Sequence, residues 1–191
     1  QGVSSAASDV YKRQILRQLL EECVNLSDML VQLINSMAVN GQACSDYMIR
    51  GKTHMNLTCY DCFRCELPID WCAEEDEDNL LLYAPNGNGA MVLSFFNALE
   101  VKETLDEQIS IMAKRFVDQN QITLCGPFVM YGSGKTKLTL CGVGKTDDNW
   151  YIKLWIVSKF PQIIFITYQA QKQSAEVKKC DAVVESIEFI F

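Results

Sequence analysis

Four thiols and one imidazole are the side chains of this chain best suited to chemistry. Cys59-x-x-Cys62-x-x-Cys65 is followed by Cys72 and preceded by His54, the only histidine among 191 residues. Zinc and iron–sulfur sites use thiolates at such spacing when a turn or knuckle lets them converge. The same stretch also alternates, with Cys59, Asp61, Phe63, Cys65 and Leu67 set against Tyr60, Cys62, Arg64 and Glu66, which is the period of a β-strand. On one continuous strand Cys59 and Cys65 share a face about 20 Å apart while Cys62 points the other way. The sequence therefore predicts small buried hydrophobes in a sheet. A metal- or redox-linked protein using Cys59, Cys62, Cys65 and Cys72 is the alternative, and no cofactor is assigned.

Other candidate chemistry is weaker. Gly132-Ser133-Gly134-Lys135-Thr136 and Gly142-Val143-Gly144-Lys145-Thr146 resemble phosphate loops, but Val129 and Thr139 stand where the upstream glycine belongs, and Lys137-Leu138-Thr139-Leu140 reads as strand where a helix is needed. Both read as hairpin turns. The acidic run at 74–78 lacks the glycine and distal glutamate of a calcium loop and reads as a solvated turn. No nucleophile elbow is present, and histidine-based catalysis would have to run through His54 at the domain's margin. The expectation is that the chain is not an enzyme.

The composition sets the frame for these residues. A hydrophobic content of 49%, with 10% aromatic residues, supports one sizeable core. A net charge of −7 leaves no broad basic surface, which argues against nucleic acid and against anionic membranes as partners. Nine cysteines, an odd number in a chain too long to need disulfide staples, read as reduced thiols and predict a cytoplasmic location. No apolar run reaches the roughly 18 residues of a membrane span. Residues 1–14 have no hydrophobic periodicity and resemble translated sequencing-adapter read-through. On that reading the natural amino terminus lies upstream, and the predicted location holds only if no targeting segment preceded it.

Over residues 15–39, Leu16, Leu19, Cys23, Leu26, Leu30, Leu33 and Met37 form one helical stripe. It packs on its own chain or serves self-association as a short coil. The segment 15–54 is expected to be this helical region and a junction, and 55–191 the main domain. In that domain, strands are predicted over 80–84 and 90–97, joined by Pro85-Asn86-Gly87-Asn88-Gly89, then over 123–131, 136–143, 150–158 and 162–168. Thr104-Leu105-Asp106-Glu107 is a capping box opening a helix with Leu105, Ile109, Met112 and Phe116 on one face. A last helix from about 174 carries Val177, Cys180, Val184 and Ile187, and 188–191 adds a short strand. Several strands are apolar on both faces, which calls for cover on both. The expected fold is α+β: an antiparallel sheet of about six to seven strands with helices on both faces, an α/β/α sandwich, preceded by the amphipathic helical segment.

Phe63-x-x-x-Leu67-Pro68-x-x-Trp71, followed by a hairpin, a helix, a four-strand meander and a closing helix ending in Val183-Val184-Glu185-Ser186-Ile187, resembles the PsbP-like and DcrB-like fold. That group also includes the yeast factor that releases nucleotide from the Ran GTPase. The resemblance spans 55–191 and implies a binding module, since members are mostly accessory subunits, lipoproteins, adaptors and chaperones without shared catalytic residues. The function expected is a non-enzymatic protein-binding or adaptor module with a protein partner. Trp71, Phe96, Tyr151 and Trp155 are its candidate contact residues, because large aromatics dominate interface energetics.

Overall fold

The computed structural model describes residues 53–59, 62–75, 79–98, 103–133 and 137–190. The helical stripe expected over 15–39 lies outside them. Among the described residues eleven strands and two helices follow in the order β1 (His54–Cys59), β2 (Phe63–Pro68), β3 (Cys72–Glu75), β4 (Asn79–Tyr83), β5 (Gly89–Asn97), α1 (Leu105–Gln119), β6 (Thr123–Leu124), β7 (Val129–Ser133), β8 (Lys137–Lys145), β9 (Tyr151–Lys159), β10 (Gln162–Ala170), α2 (Glu176–Ser186) and β11 (Glu188–Phe189). The α+β class fits. In place of one sheet of six or seven strands there are two: an eight-stranded sheet ordered β3-β4-β5-β10-β9-β8-β6, with β7 also on β8, and a three-stranded sheet ordered β1-β2-β11.

The first difference arises at the cysteine stretch. β1 and β2 are the two strands of a hairpin, with Cys59 paired to Phe63 and Leu57 to Cys65, and the Cys62 amide donates to the Cys59 carbonyl at 3.0 Å. Because Cys59 lies opposite Phe63, odd-numbered residues stay on one face through the turn, as they would on a straight strand. The alternation alone could not separate the two. Cys59, Phe63, Cys65 and Leu67 are all buried on that face.

The meander and the earlier hairpin join through β5 and β10, which pair over their full length from Gly89–Ala170 to Asn97–Gln162. Strand residues divide strictly by parity between two apolar clusters. Tyr151, Trp155 and Val157 of β9 and Ile164, Ile166 and Tyr168 of β10 enter one cluster with Val177, Cys180, Val183 and Val184 of α2 and the β1–β2 hairpin. Ile152, Leu154 and Ile156 with Ile163 and Phe165 enter the other, with Ile109, Ala113 and Phe116 of α1. Burial of a side chain of this size stabilises by about 1.5–3 kcal/mol, so these strands are held from two sides.

Local signals place the helices. At the start of α1 the Glu107 carboxylate accepts from the Thr104 amide at 2.8 Å and from its hydroxyl at 2.9 Å, the glutamate half of the capping box. At the start of α2 the Glu176 carboxylate accepts from the Asn88 amide at 3.0 Å and from the Tyr168 hydroxyl at 2.7 Å. This ties the 85–88 turn to the helix.

Candidate functional site

The four aromatics chosen from the sequence are core residues in the structure. Trp71, Phe96, Tyr151 and Trp155 are 4, 8, 5 and 1% exposed. Trp155 donates its indole N–H to Asp181 Oδ1 at 3.1 Å, Lys153 Nζ reaches the same oxygen at 2.6 Å, and that ammonium stands 4.9 Å from the Trp155 ring centre. Tyr151 meets Tyr168 edge to face, ring centres 6.4 Å apart. Trp71 follows β2, its amide bonded to the Pro68 carbonyl at 3.0 Å, and its indole nitrogen has no partner among the described residues. Their size made them good interface candidates, but Phe96, Tyr151 and Trp155 lie on strands packed on both faces, and Trp71 joins the α2-side cluster.

The hairpin brings Cys59 and Cys65 onto adjacent strands, not 20 Å apart along one. Closer thiols do not make a metal centre here: among the described residues no group of three or more His, Cys, Asp or Glu side chains is placed to hold a metal ion. Burial pushes the Cys59 thiol up to about 12, aided by Cys65 and Glu75, and the Cys65 thiol up to about 11. Such thiols stay neutral at ordinary pH and are poor ligands and nucleophiles.

His54 is exposed, its Nδ1 2.9 Å from Thr53 Oγ1. It lines a cleft of about 370 Å³ between the small sheet and α2, together with Glu66, Asp70, Lys178 and Lys179. Lys179 binds Asp70 at 2.7 Å and holds that carboxyl below its ordinary range. Two acids and two lysines give the cleft no dominant sign.

The feature that sequence reasoning passes over is one edge of the large sheet. The segment 123–131, which reads in sequence as one strand, is two, β6 and β7, lying one after the other along β8. Val129, Met130 and Tyr131 are 58, 40 and 47% exposed, three consecutive apolar residues on an edge strand. Val129 pairs with Cys141, Met130 with Leu140 and Tyr131 with Thr139. Cys141 packs on the α2-side cluster and Leu140 belongs to the α1-side cluster, so Val129 and Tyr131 face the α2 side and Met130 the other. Gly132 allows the strand to end where it does: its φ is +92°, and a Cβ there would collide with the Lys137 carbonyl. Half-buried Phe128 anchors the other end, lying where a side chain at position 142 would project from β8. Lys137 Nζ then crosses to α2, donating to the carbonyls of Glu185 at 2.8 Å and Ile187 at 3.1 Å. No signal in the sequence marks 129–131 as exposed, because an apolar strand reads the same whether central or at an edge.

The described residues have a PsbP/Mog1-like fold. The solution structure of the cyanobacterial PsbP protein (CyanoP) of Synechocystis sp. PCC 6803 is similar with a TM-score of 0.55 at 12% identity, covering 76% of this chain and 97% of that one. A point mutant of the protein Mog1 is similar with a TM-score of 0.50 at 7% identity, covering 73% and 97%. At these identities the likeness is one of fold. No protein-family model matches the chain, and no curated protein matches it in sequence.

Proposed function

We propose that this chain is a non-enzymatic protein-binding module of the adaptor type, and that the partner is engaged at the β7 edge. The observation that carries the reading is the run Val129–Met130–Tyr131, exposed and apolar on an edge strand of the large sheet. Exposed apolar clusters on a soluble domain mark interaction surfaces, and an edge strand also presents backbone hydrogen-bonding groups. The fold shared with CyanoP and Mog1 supports the reading through the binding role that the sequence resemblance implies. In it the two helices, one in each apolar cluster, brace the sheet from both sides, and Trp71, Phe96, Tyr151 and Trp155 serve the surface from beneath by fixing the strands that present it.

The test uses the full chain as bait beside a Val129→Asp, Tyr131→Asp variant of unchanged circular dichroism. Support would be a discrete protein recovered by the wild type, lost with the variant, and binding the wild type when both are purified. Recovery of the same protein by both baits, or of none by either, would overturn it.

A further inference from the structure

We propose that β7 takes up an extended, cationic segment of a partner protein as an added strand, with a basic residue of that segment set against Glu185. The inference rests on the protein-binding reading above and specifies what binds. Three observations lead to it.

Main-chain geometry comes first. Along an antiparallel edge, alternate residues turn N–H and C=O away from the neighbouring strand. On β7 those groups face away from β8, and among the described residues no strand pairs with them there. A second backbone in extended conformation satisfies that row; a helix cannot, because its own backbone groups are already paired.

Side-chain placement comes second. Val129 and Tyr131 stand on the α2 side of the edge and Met130 on the other. An added strand lays its own residues directly beside these three, so apolar or β-branched residues at every second position would form cross-strand pairs with Val129 and Tyr131.

Charge comes third. Lys137, the β8 partner of Ser133 at the end of β7, donates to the Glu185 carbonyl at 2.8 Å, which sets Glu185 beside the Tyr131 end of the edge; burial, with the charges of Asp181 and Glu185 adding to it, pushes the Tyr131 phenol up. Asp181 is already held by Lys153 at 2.6 Å and by the Trp155 indole. Glu185 is exposed, and Lys137 engages its backbone carbonyl; among the described residues no ion pair holds its carboxylate. A lysine or arginine on the incoming strand complements it, and an acidic residue is repelled. The same sign argues against a second copy of this chain, since pairing β7 with itself would bring two Glu185 carboxylates together and join two chains of net charge −7.

The probe is a displayed library of random peptides panned on the full chain, with counter-selection on a Val129→Glu, Tyr131→Glu variant. These side chains are exposed, so the variant should fold, which its thermal melt will check. Enriched sequences are expected to alternate apolar residues and to carry lysine or arginine. A synthesised binder should slow amide exchange at alternate β7 residues, lose about tenfold in affinity for each edge-facing amide that is N-methylated, and lose about tenfold when its basic residue becomes glutamate. Glu185→Lys should reverse that last preference. Binders that depend on Val129 and Tyr131 yet tolerate N-methylation, or that show helical spacing, would overturn strand addition and leave protein binding at this edge standing. Binders indifferent to the sign at position 185 would overturn the cationic assignment. Failure to enrich any peptide over the variant would overturn the inference; the protein-binding reading would then stand or fall by its own capture experiment.

Discussion

The two ends of the eight-stranded sheet meet water with opposite chemistry. At one end β3 shows Glu74 and Glu75 as its exposed residues, with the Glu74 carboxylate held by the Tyr83 hydroxyl. At the other, β7 shows Val129, Met130 and Tyr131. Topologically the two strands are alike, each paired on one side among the described residues. A charged edge turns an incoming strand away, and an apolar one admits it. The difference shows that this fold can protect an edge with two residues, and that β7 lacks that protection.

The comparison breaks most severely at Gly132. Gly132→Val puts a β-branched residue at positive φ and into the Lys137 carbonyl, and we expect a loss of about 3 kcal/mol in urea unfolding, with loss of the β7–β8 pairing. Gly126→Ala, where a Cβ meets nothing within 4 Å, is the control and should change stability by less than about 0.5 kcal/mol. Alkaline pH tests the other end, where Glu75 acts on Cys59. Both Cys59 and Cys65 have folded pKa values raised from 9.0, to about 12 and about 11. Their contribution is therefore complete below pH 9 and is lost as pH rises through those values, at up to about 1.4 kcal/mol per pH unit for each thiol. Denaturant midpoints taken from about pH 8 to about pH 11 under reducing conditions should fall, and should fall less in a Cys59→Ala variant.

Two smaller effects sharpen the contrast. Glu176→Gln weakens the tie between α2, the Asn88 amide and the Tyr168 hydroxyl and should cost about 1–2 kcal/mol without altering binding at β7. Exchanging the character of the edges should barely move stability, by less than about 0.5 kcal/mol. Yet Glu74→Val with Glu75→Val should produce concentration-dependent self-association in light scattering, whereas Val129→Glu with Tyr131→Glu should leave the chain as dispersed as the wild type.

What the sequence disclosed and what it hid follow from where each signal resides. Ile152, Leu154 and Ile156 against Tyr151, Trp155 and Val157 announced a strand buried on both sides, and the structure sends those two sets to different clusters. Thr104 and Glu107 marked a helix start because a capping box is local chemistry. The Cys59–Phe63 reversal stayed hidden because its register preserves parity. The β7 edge stayed hidden for a different reason: the exposure of Val129 and Tyr131 depends on which strands flank them, and a strand order of β5-β10-β9-β8 is settled far along the chain. Large aromatics drew attention to Tyr151 and Trp155, which the same strand order buries.

The β5–β10 ladder also bears on how the molecule reaches its native state. Apart from β6, which pairs with β8 across the intervening β7, the other neighbours in the large sheet are joined by a hairpin or a short connection, whereas this ladder brings together residues separated by α1 and four strands. The two halves, β3 to β5 and β6 to β10, can each form from local contacts, and their docking must wait for the long loop to close. Until it does, β5 and β10 are themselves open edges, lined by Met91, Leu93, Ile164 and Ile166. Refolding at rising protein concentration should therefore lose yield at that stage, through species whose stickiness vanishes once the ladder zips.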